Sequence, residues 1–450
     1  MSEPKTTNSQ SSGNTLPPLI VFLWISAIGW LSLGLLAGFL SALKMHATGL
    51  FSNISWLNYG TLSEVSDTAI LYGFVLQSVF AGTIWVISKS NNEKPGFGHI
   101  STVGVVLWNK LLTFGCAQIF VFGTSGLKFM SLTPQALLGL LIASLFIVLP
   151  WVSRLLSSDF KNKIGQSYLL LSLLIFPMVG FPAGHFVHNA GVTGVMQNAV
   201  ALWYGHLLTF TLIPIFLFGV FIYHFEHDDT ISGLSRSILT GALWCFMLGG
   251  FLGGLYHGFP LGGAVNSLSV ASNWFPAFGA FSVCLVLLKL KSSDEKSKSV
   301  ISSFAFKWIT MGSALALIIN AFTQLKGMSG NLGLQPFKLG LEQFLIFGVL
   351  LTSVLFLSKN ARTESLRSMG PILFLIYLGS FVCFASLAIE SLIGGGMGVR
   401  MHVLALALVL AASGLQLLLL FKNLVSAFLR SLKKCCGVSE SGEKTNLANA

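Results

Sequence analysis

The stretch Gln197–Pro214, QNAVALWYGHLLTFTLIP, is an apolar run broken near its middle by a single imidazole, His206. A histidine inside a hydrocarbon layer is costly, so where one is kept it faces protein and often binds something. Three readings are open for it: a metal ligand, a packed structural histidine, or the relic of a lost site. The run belongs to an apolar segment near 193–223, long enough for a helix that crosses a bilayer.

The rest of the chain repeats that property. Its 450 residues are 54% hydrophobic and 9% charged. A soluble domain carries charge on about a quarter of its residues, so an ordinary soluble protein is excluded. In lipid every backbone N–H and C=O must be satisfied within the chain, which makes helices of apolar runs this long. The fold class is therefore an all-α integral membrane protein, with the lipid bilayer as its first partner. Twelve spans can be drawn, near 18–43, 66–88, 102–124, 133–153, 166–182, 193–223, 235–256, 269–290, 301–321, 338–357, 371–391 and 401–429. Pro177 and Pro182 interrupt the fifth. Residues 1–17 read as a polar N-terminal tail without the basic start and cleavage site of a signal peptide. Residues 18–430 form the twelve-helix membrane domain, and 431–450 a tail of disordered composition.

The net charge of +11 is read as loop charge holding topology, not as a nucleic-acid interface. With the N-terminus inside, nineteen of the 26 Lys and Arg fall on the inner side. Five fall outside: Lys44, Lys128, Lys326, Lys338 and Arg400. That bias supports an even number of spans with both termini cytoplasmic. The six cysteines show neither zinc spacing nor a disulfide framework. No repeat relates the two halves, which counts against an inverted-repeat transporter.

Nine histidines are the first candidates for chemistry. His46, His99, His224 and His227 fall in loops or at span ends, where polar residues are expected. His185 and His188, in GHFVHNAG, fall in an outer loop; as an i, i+3 pair they could clamp a metal, but no third ligand is in view. His206 and His257 lie deeper, His257 at the end of the seventh span in GGLYHGFPLGG, and His402 begins the twelfth. Lys110, Lys307 and Glu342 are the ionisable groups inside spans, and each is a candidate for a functional role on that ground. For Lys307 and Glu342 the competing reading is snorkelling from span ends.

The segment around His206, TGVMQNAVALWYGHLLTFTLIPIFLFGVFIYHF, resembles helix six of the catalytic subunit I of the heme–copper oxidase superfamily, specifically the cbb-type (C-family) cytochrome c oxidases. In that family the motif W-Y-G-H supplies the first copper ligand; here it stands as Trp203, Tyr204, Gly205 and His206. WLNYGTLSEVSDTAILYGFVLQSVFAGTIWVIS resembles the loop and second helix of that subunit, and LWNKLLTFG the start of its third. GALWCFMLGGFLGGLYHGFP and PFKLGLEQFLIFG fall where its seventh and tenth helices should be. The resemblance covers about residues 15–430 and is strongest around 55–90 and 193–225.

The resemblance implies a twelve-helix bundle in a bacterial inner (cytoplasmic) membrane, in the respiratory chain, with membrane-anchored c-type cytochromes as partner subunits. Its cofactors would be two b-type hemes and copper, held by six histidines in helices two, six, seven and ten. A low-spin heme needs two axial imidazoles, a high-spin heme one, and copper three. Most are replaced here. The helix-two ligand falls on Ser66, the helix-seven pair on Leu255 and Tyr256, and the helix-ten pair on Leu341 and Gln343; the cross-linked tyrosine falls near Gly249. His206 keeps its place, and His257 lies one residue beyond the helix-seven pair. Leucine cannot ligate iron. The expectation is a divergent subunit without a complete heme–copper centre, non-catalytic or repurposed. Two alternatives stand beside it: an active terminal oxidase, and a transporter using the emptied cavity with Lys110, His206 and Glu342 as its lining.

Overall fold

Apolar helices follow one another along the whole described chain. The structure, a computed structural model, describes residues 18–90, 98–123, 126–157, 163–188, 194–227, 231–254, 263–293, 303–325, 335–360, 370–393, 398, 400–416 and 418. Among these residues the regular structure is all helical. The helices are α1 (Pro18–His46), α2 (Tyr59–Thr68, Ala69–Val75 and Leu76–Ser90), α3 (Gly98–Phe122), α4 (Pro134–Ser157), α5 (Ile164–His188) and α6 (Val195–Leu207, Leu208–Leu212 and Ile213–His227). There follow α7 (Gly233–Leu252), α8 (Gly263–Ser272 and Trp274–Ser293), α9 (Ser303–Thr323), α10 (Gln335–Gln343, Phe344–Leu350 and Leu351–Asn360), α11 (Gly370–Ile393) and the shorter α12 (Arg400–Gln416). Eleven are long and apolar enough to cross a bilayer, and the protein is an integral membrane protein. Where the twelfth span, 401–429, is expected, the described residues show the apolar helix α12, shorter than the other eleven spans. Both polar tails lie outside the described residues.

Helix ends depart from the hydropathy reading for local reasons. Asn58 Oδ1 accepts the Thr61 N–H at 2.8 Å, so α2 starts at Tyr59 and not near residue 66. That places Glu64 and Asp67 on the helix. The fifth helix runs through Pro177 and Pro182 to His188, which makes His185 and His188 helical and corrects the expected loop. A proline removes one ladder hydrogen bond, and in a membrane bundle neighbouring helices compensate for it. Helix α10 opens at Gln335, so Lys338 is helical, not an outer-loop charge. Helix α8 breaks at Asn273, whose Nδ2 donates to the Ser269 carbonyl at 2.7 Å.

Three helices form the interior. In α6 the whole of the most apolar window is buried, in α2 94% and in α10 78%, against 28% in α7. Helix α6 packs on α5, α7, α8, α9 and α10, and α2 packs on α1, α5, α6 and α10. Outer helices turn large apolar side chains such as Phe122, Leu234 and Trp244 outward, as lipid contact requires.

Each interior helix, and no other among the described residues, contains a π-helical segment: Ala69–Val75, Leu208–Leu212 and Phe344–Leu350. A π turn widens the backbone ladder and tilts carbonyls out of it. With no water present, such a carbonyl needs a donor from another side chain. The Trp108 indole N–H donates to the Tyr72 carbonyl at 3.2 Å. The Trp308 indole and the Thr352 hydroxyl donate to the Gly348 carbonyl at 2.8 and 2.6 Å. The Thr209 hydroxyl donates to the Gly205 carbonyl, just ahead of the Leu208–Leu212 segment, at 2.5 Å. A further polar joint lies between α1, α2 and α3, where Asn109 Oδ1 accepts from Ser26, Trp30 and Gln77.

Replacing Trp108 with Phe deletes the N–H together with one of the two indole rings. It is expected to lower stability by about 2–4 kcal/mol, from the lost hydrogen bond and the cavity left at this buried site. Trp308→Phe costs less alone than with Thr352→Val, because Thr352 still serves Gly348. Thermal unfolding in detergent checks this, with the exposed Trp244→Phe as a control that should not move.

Candidate functional site

The connection between α3 and α4 dips into the bundle. Phe129, Met130, Ser131 and Leu132 are all buried, although they belong to no helix. Phe129 holds φ at +68°, a left-handed conformation that a bulky residue rarely adopts. Several contacts hold this plug. The Tyr72 hydroxyl of α2 donates to the Phe129 carbonyl at 2.8 Å. The Gly126 N–H donates to Glu64 Oε1 at 2.9 Å. Lys128 Nζ meets Glu342 Oε2 of α10 at 2.8 Å and lies 4.5 Å from the centre of the Phe129 ring. On α6 the Phe129 ring presses on the bare backbone of Gly205, where a Cβ would overlap it.

The plug gathers charge around itself. Glu64 and Asp67, three residues apart on α2, share a helix face. Asp67 lies within electrostatic range of Lys128, Glu342 and Glu64. Lys338, four residues before Glu342, is 6% exposed and within range of both Glu342 and His206. Burial by itself would lower the Lys128 ammonium; the carboxylates of Glu342 and Asp67 override it and hold Lys128 above its ordinary value of 10.5. A raised pKa means that the ammonium side of this pair contributes its full stability below that ordinary value and loses it only as pH rises through the folded one. Lys128 is therefore charged throughout the neutral range.

His206 sits in the interior, as its sequence setting predicts, and is 4% exposed. Its ring stacks on Phe210 with centroids 5.0 Å apart and lies beside the Asn273 side chain at the break in α8. Gly254, at φ +77°, closes on it; a Cβ there would come within 2.7 Å of the ring. His257, Leu255 and Tyr256 lie outside the described residues. Ser66 faces α1, where a Cβ on Gly38 would meet its hydroxyl at 2.8 Å. Leu341 is buried, and Gln343 is half-buried.

The remaining ionisable residues of the spans scatter. Lys110 and Lys307 are exposed on the outside of the bundle, so Lys110 does not line an interior cavity with His206 and Glu342. Glu342 is drawn into its ion pair, not out to the interface. His185 and His188 border a groove of about 510 Å³ on α4 and α5, lined by Leu137, Leu138, Leu141 and Phe181. Among the described residues no group of three or more His, Cys, Asp and Glu is arranged to hold a metal ion. The donor set does not fit a heme–copper centre: serine faces a neighbouring helix, leucine offers no lone pair, and His206 is the one imidazole at the described positions. In the sequence, Lys128 and Lys338 read as topology charges, and Glu64 and Asp67 fall outside the expected span or at its edge. The i, i+3 spacing of Glu64 and Asp67 and the i, i+4 spacing of Lys338 and Glu342 are the signals by which sequence reasoning could find them.

Comparison with protein-family models and with curated proteins finds no match to this chain. The geometry therefore carries the functional argument.

The plug can be tested at its two anchor points. Lys128→Met and Glu342→Gln should each cost about 1–3 kcal/mol, between the values for exposed and fully buried pairs. Their double mutant should cost much less than the sum; a coupling near zero in a thermal-unfolding cycle would show that the pair is no latch. Gly205→Ala should destabilise by about 1–3 kcal/mol through overpacking, and Phe129→Leu should recover part of that loss in the same assay.

Proposed function

We propose that the chain is a divergent, non-catalytic membrane subunit built on the scaffold of the heme–copper oxidase subunit I, nearest to the cbb-type cytochrome c oxidases. In this reading it has twelve transmembrane helices with both termini cytoplasmic, in a bacterial inner membrane. Its partners are other respiratory subunits, membrane-anchored c-type cytochromes among them. The plug then lies at the extracytoplasmic end.

The observation that carries the reading is the identity of the interior helices. The resemblance assigns ligand positions to helices two, six, seven and ten; α2, α6 and α10 are the three that pack together in the middle, α7 packs on α6 from the outside, and the helix-seven positions lie outside the described residues. At those positions stand Ser66, His206, Leu341 and Gln343, set among Gly38, Phe210 and Asn273. A scaffold that keeps the arrangement and replaces the ligands suits a subunit whose work is assembly or structural support, since function resides in the site and not in the fold.

A reduced-minus-oxidised visible spectrum of the purified protein, with copper measured in the same sample, tests this directly. Neither stoichiometric b-type heme bands nor copper are expected. Stoichiometric heme would overturn the non-catalytic reading and restore the terminal oxidase. A second reading, transport through the interior, draws on the buried charges at the plug. It requires flux in proteoliposomes that Glu342→Gln abolishes.

A further inference from the structure

The connection between α1 and α2, residues 47–58, is a chain of tight turns. The amides of Leu50, Ser52, Ile54 and Leu57 each donate to the carbonyl three residues back, at 2.9–3.2 Å. The Lys44 ammonium donates to the Leu57 carbonyl, and Asn58 Nδ2 to the Ser55 carbonyl, so side chains pin the segment near its end. From Met45 to Ser63 the sequence has no Asp, Glu, Lys or Arg. In place of charge the loop and the first residue of α2 turn large rings outward: Phe51, Trp56 and Tyr59 are 42%, 50% and 49% exposed. Phe51 does so from φ +55°, a left-handed conformation that a bulky residue rarely adopts. The Trp56 ring meets Phe120 of α3 edge-on, with centroids 5.5 Å apart. Beside Phe120, Val121 and Phe122 stand exposed at the end of α3. The aromatic face of the loop is thus continuous with the lipid-facing side of a membrane-spanning helix.

We propose that residues 47–58 lie in the headgroup layer of the membrane, anchored there by Phe51, Trp56 and Tyr59, and that the partner of this loop is an uncharged lipid surface. Two constraints fix the depth. Hydrocarbon is too deep. Among the described residues the amides of Phe51 and Trp56 have no backbone partner, and irregular backbone facing lipid tails has no water to meet it. Bulk water is too shallow, because a contiguous patch of exposed large apolar side chains calls for a partner. The layer between the two supplies water for the amides and apolar contact for the rings. Trp and Tyr suit that layer because each joins an apolar ring to a polar tip. The absence of cations in the loop selects a neutral surface, since attraction to anionic lipid needs Lys or Arg. The inference rests on this loop alone and is independent of the oxidase-like reading.

The test uses the intact chain in phosphatidylcholine bilayers and reads quenching of Trp56 fluorescence, isolated as the difference between the chain and Trp56→Phe. Lipid brominated near the headgroup end of its acyl chains should remove more of that emission than lipid brominated near the chain ends. Aqueous iodide should quench it less than it quenches free tryptophan. Phe51→Trp, which adds a second reporter without removing the first, should show the same order and serves alone should Trp56→Phe not fold. Quenching by iodide as for free tryptophan, with no loss to brominated lipid, would place the loop in water and overturn the proposal. Strongest quenching from the chain ends would place it in hydrocarbon, and protection from all three quenchers would place it against protein. Either result overturns the proposal equally.

Discussion

The hydrogen bond from the Trp108 indole to the Tyr72 carbonyl shows the constraint on which the interior depends. A carbonyl tilted out of a helix in lipid has no water to turn to, so it must be met by a side chain from another helix. The protein places π segments in α2, α6 and α10 and supplies the donors: Trp108, Thr209, Trp308 and Thr352. These donors fix helix positions as well as satisfy carbonyls. Trp108 sits on α3 and Trp308 on α9, so each indole ties an outer helix to the interior one it serves. In a bundle where lipid is as apolar as leucine, such polar ties and close packing set the arrangement more than apolar burial does. The aromatic rings of Trp108, Phe80 and Phe176 that cluster around the first tie supply the packing half of the same joint.

The same accounting governs the plug. A loop inside a bundle exposes unpaired backbone groups and survives only where they are met. Tyr72 meets the Phe129 carbonyl and Glu64 the Gly126 amide, so two side chains of α2 hold the loop at separate points. Lys128 then fixes it to α10. The ion pair gains from partial burial, and its strength depends on Glu342 not being shared out to Lys338. A carboxylate flanked by two lysines cannot fully serve both. That competition leaves Lys338 short of an acceptor.

Much of the fold is legible in the sequence because apolar runs of about 20 residues leave little else to form in a bilayer. Hydropathy places the centres of the helices for that reason, and misplaces their ends because caps decide ends. Asn58 carries α2 back past Glu64 and Asp67, and no hydropathy window registers one side-chain cap. His206 is legible as an interior residue from its cost alone. The plug is not. Residues 126–132 read as an ordinary outer loop, and a lysine in such a loop looks like topology charge. Its inward course depends on contacts with Glu64, Tyr72, Gly205 and Glu342, which lie far from it in sequence. The π segments are equally silent, and for those in α2 and α10 the indole donors come from other helices.

The four residues Trp203, Tyr204, Gly205 and His206 can be accounted for by packing alone. Each has a packing duty apart from metal. The Trp203 indole donates to the Phe251 carbonyl at 3.0 Å, near the end of α7. Tyr204 lies against Tyr72. Gly205 leaves room for the Phe129 ring, and His206 stacks on Phe210 beside Asn273. Any side chain at 205 would push the plug out, and a non-aromatic residue at 206 would give up the stack on Phe210. These four positions would therefore be costly to change in a protein that bound no metal at all. Their presence argues for a helix interface first. It becomes an argument for copper only where further imidazoles converge on His206, and the resemblance puts the helix-seven pair on Leu255 and Tyr256, neither of them a histidine.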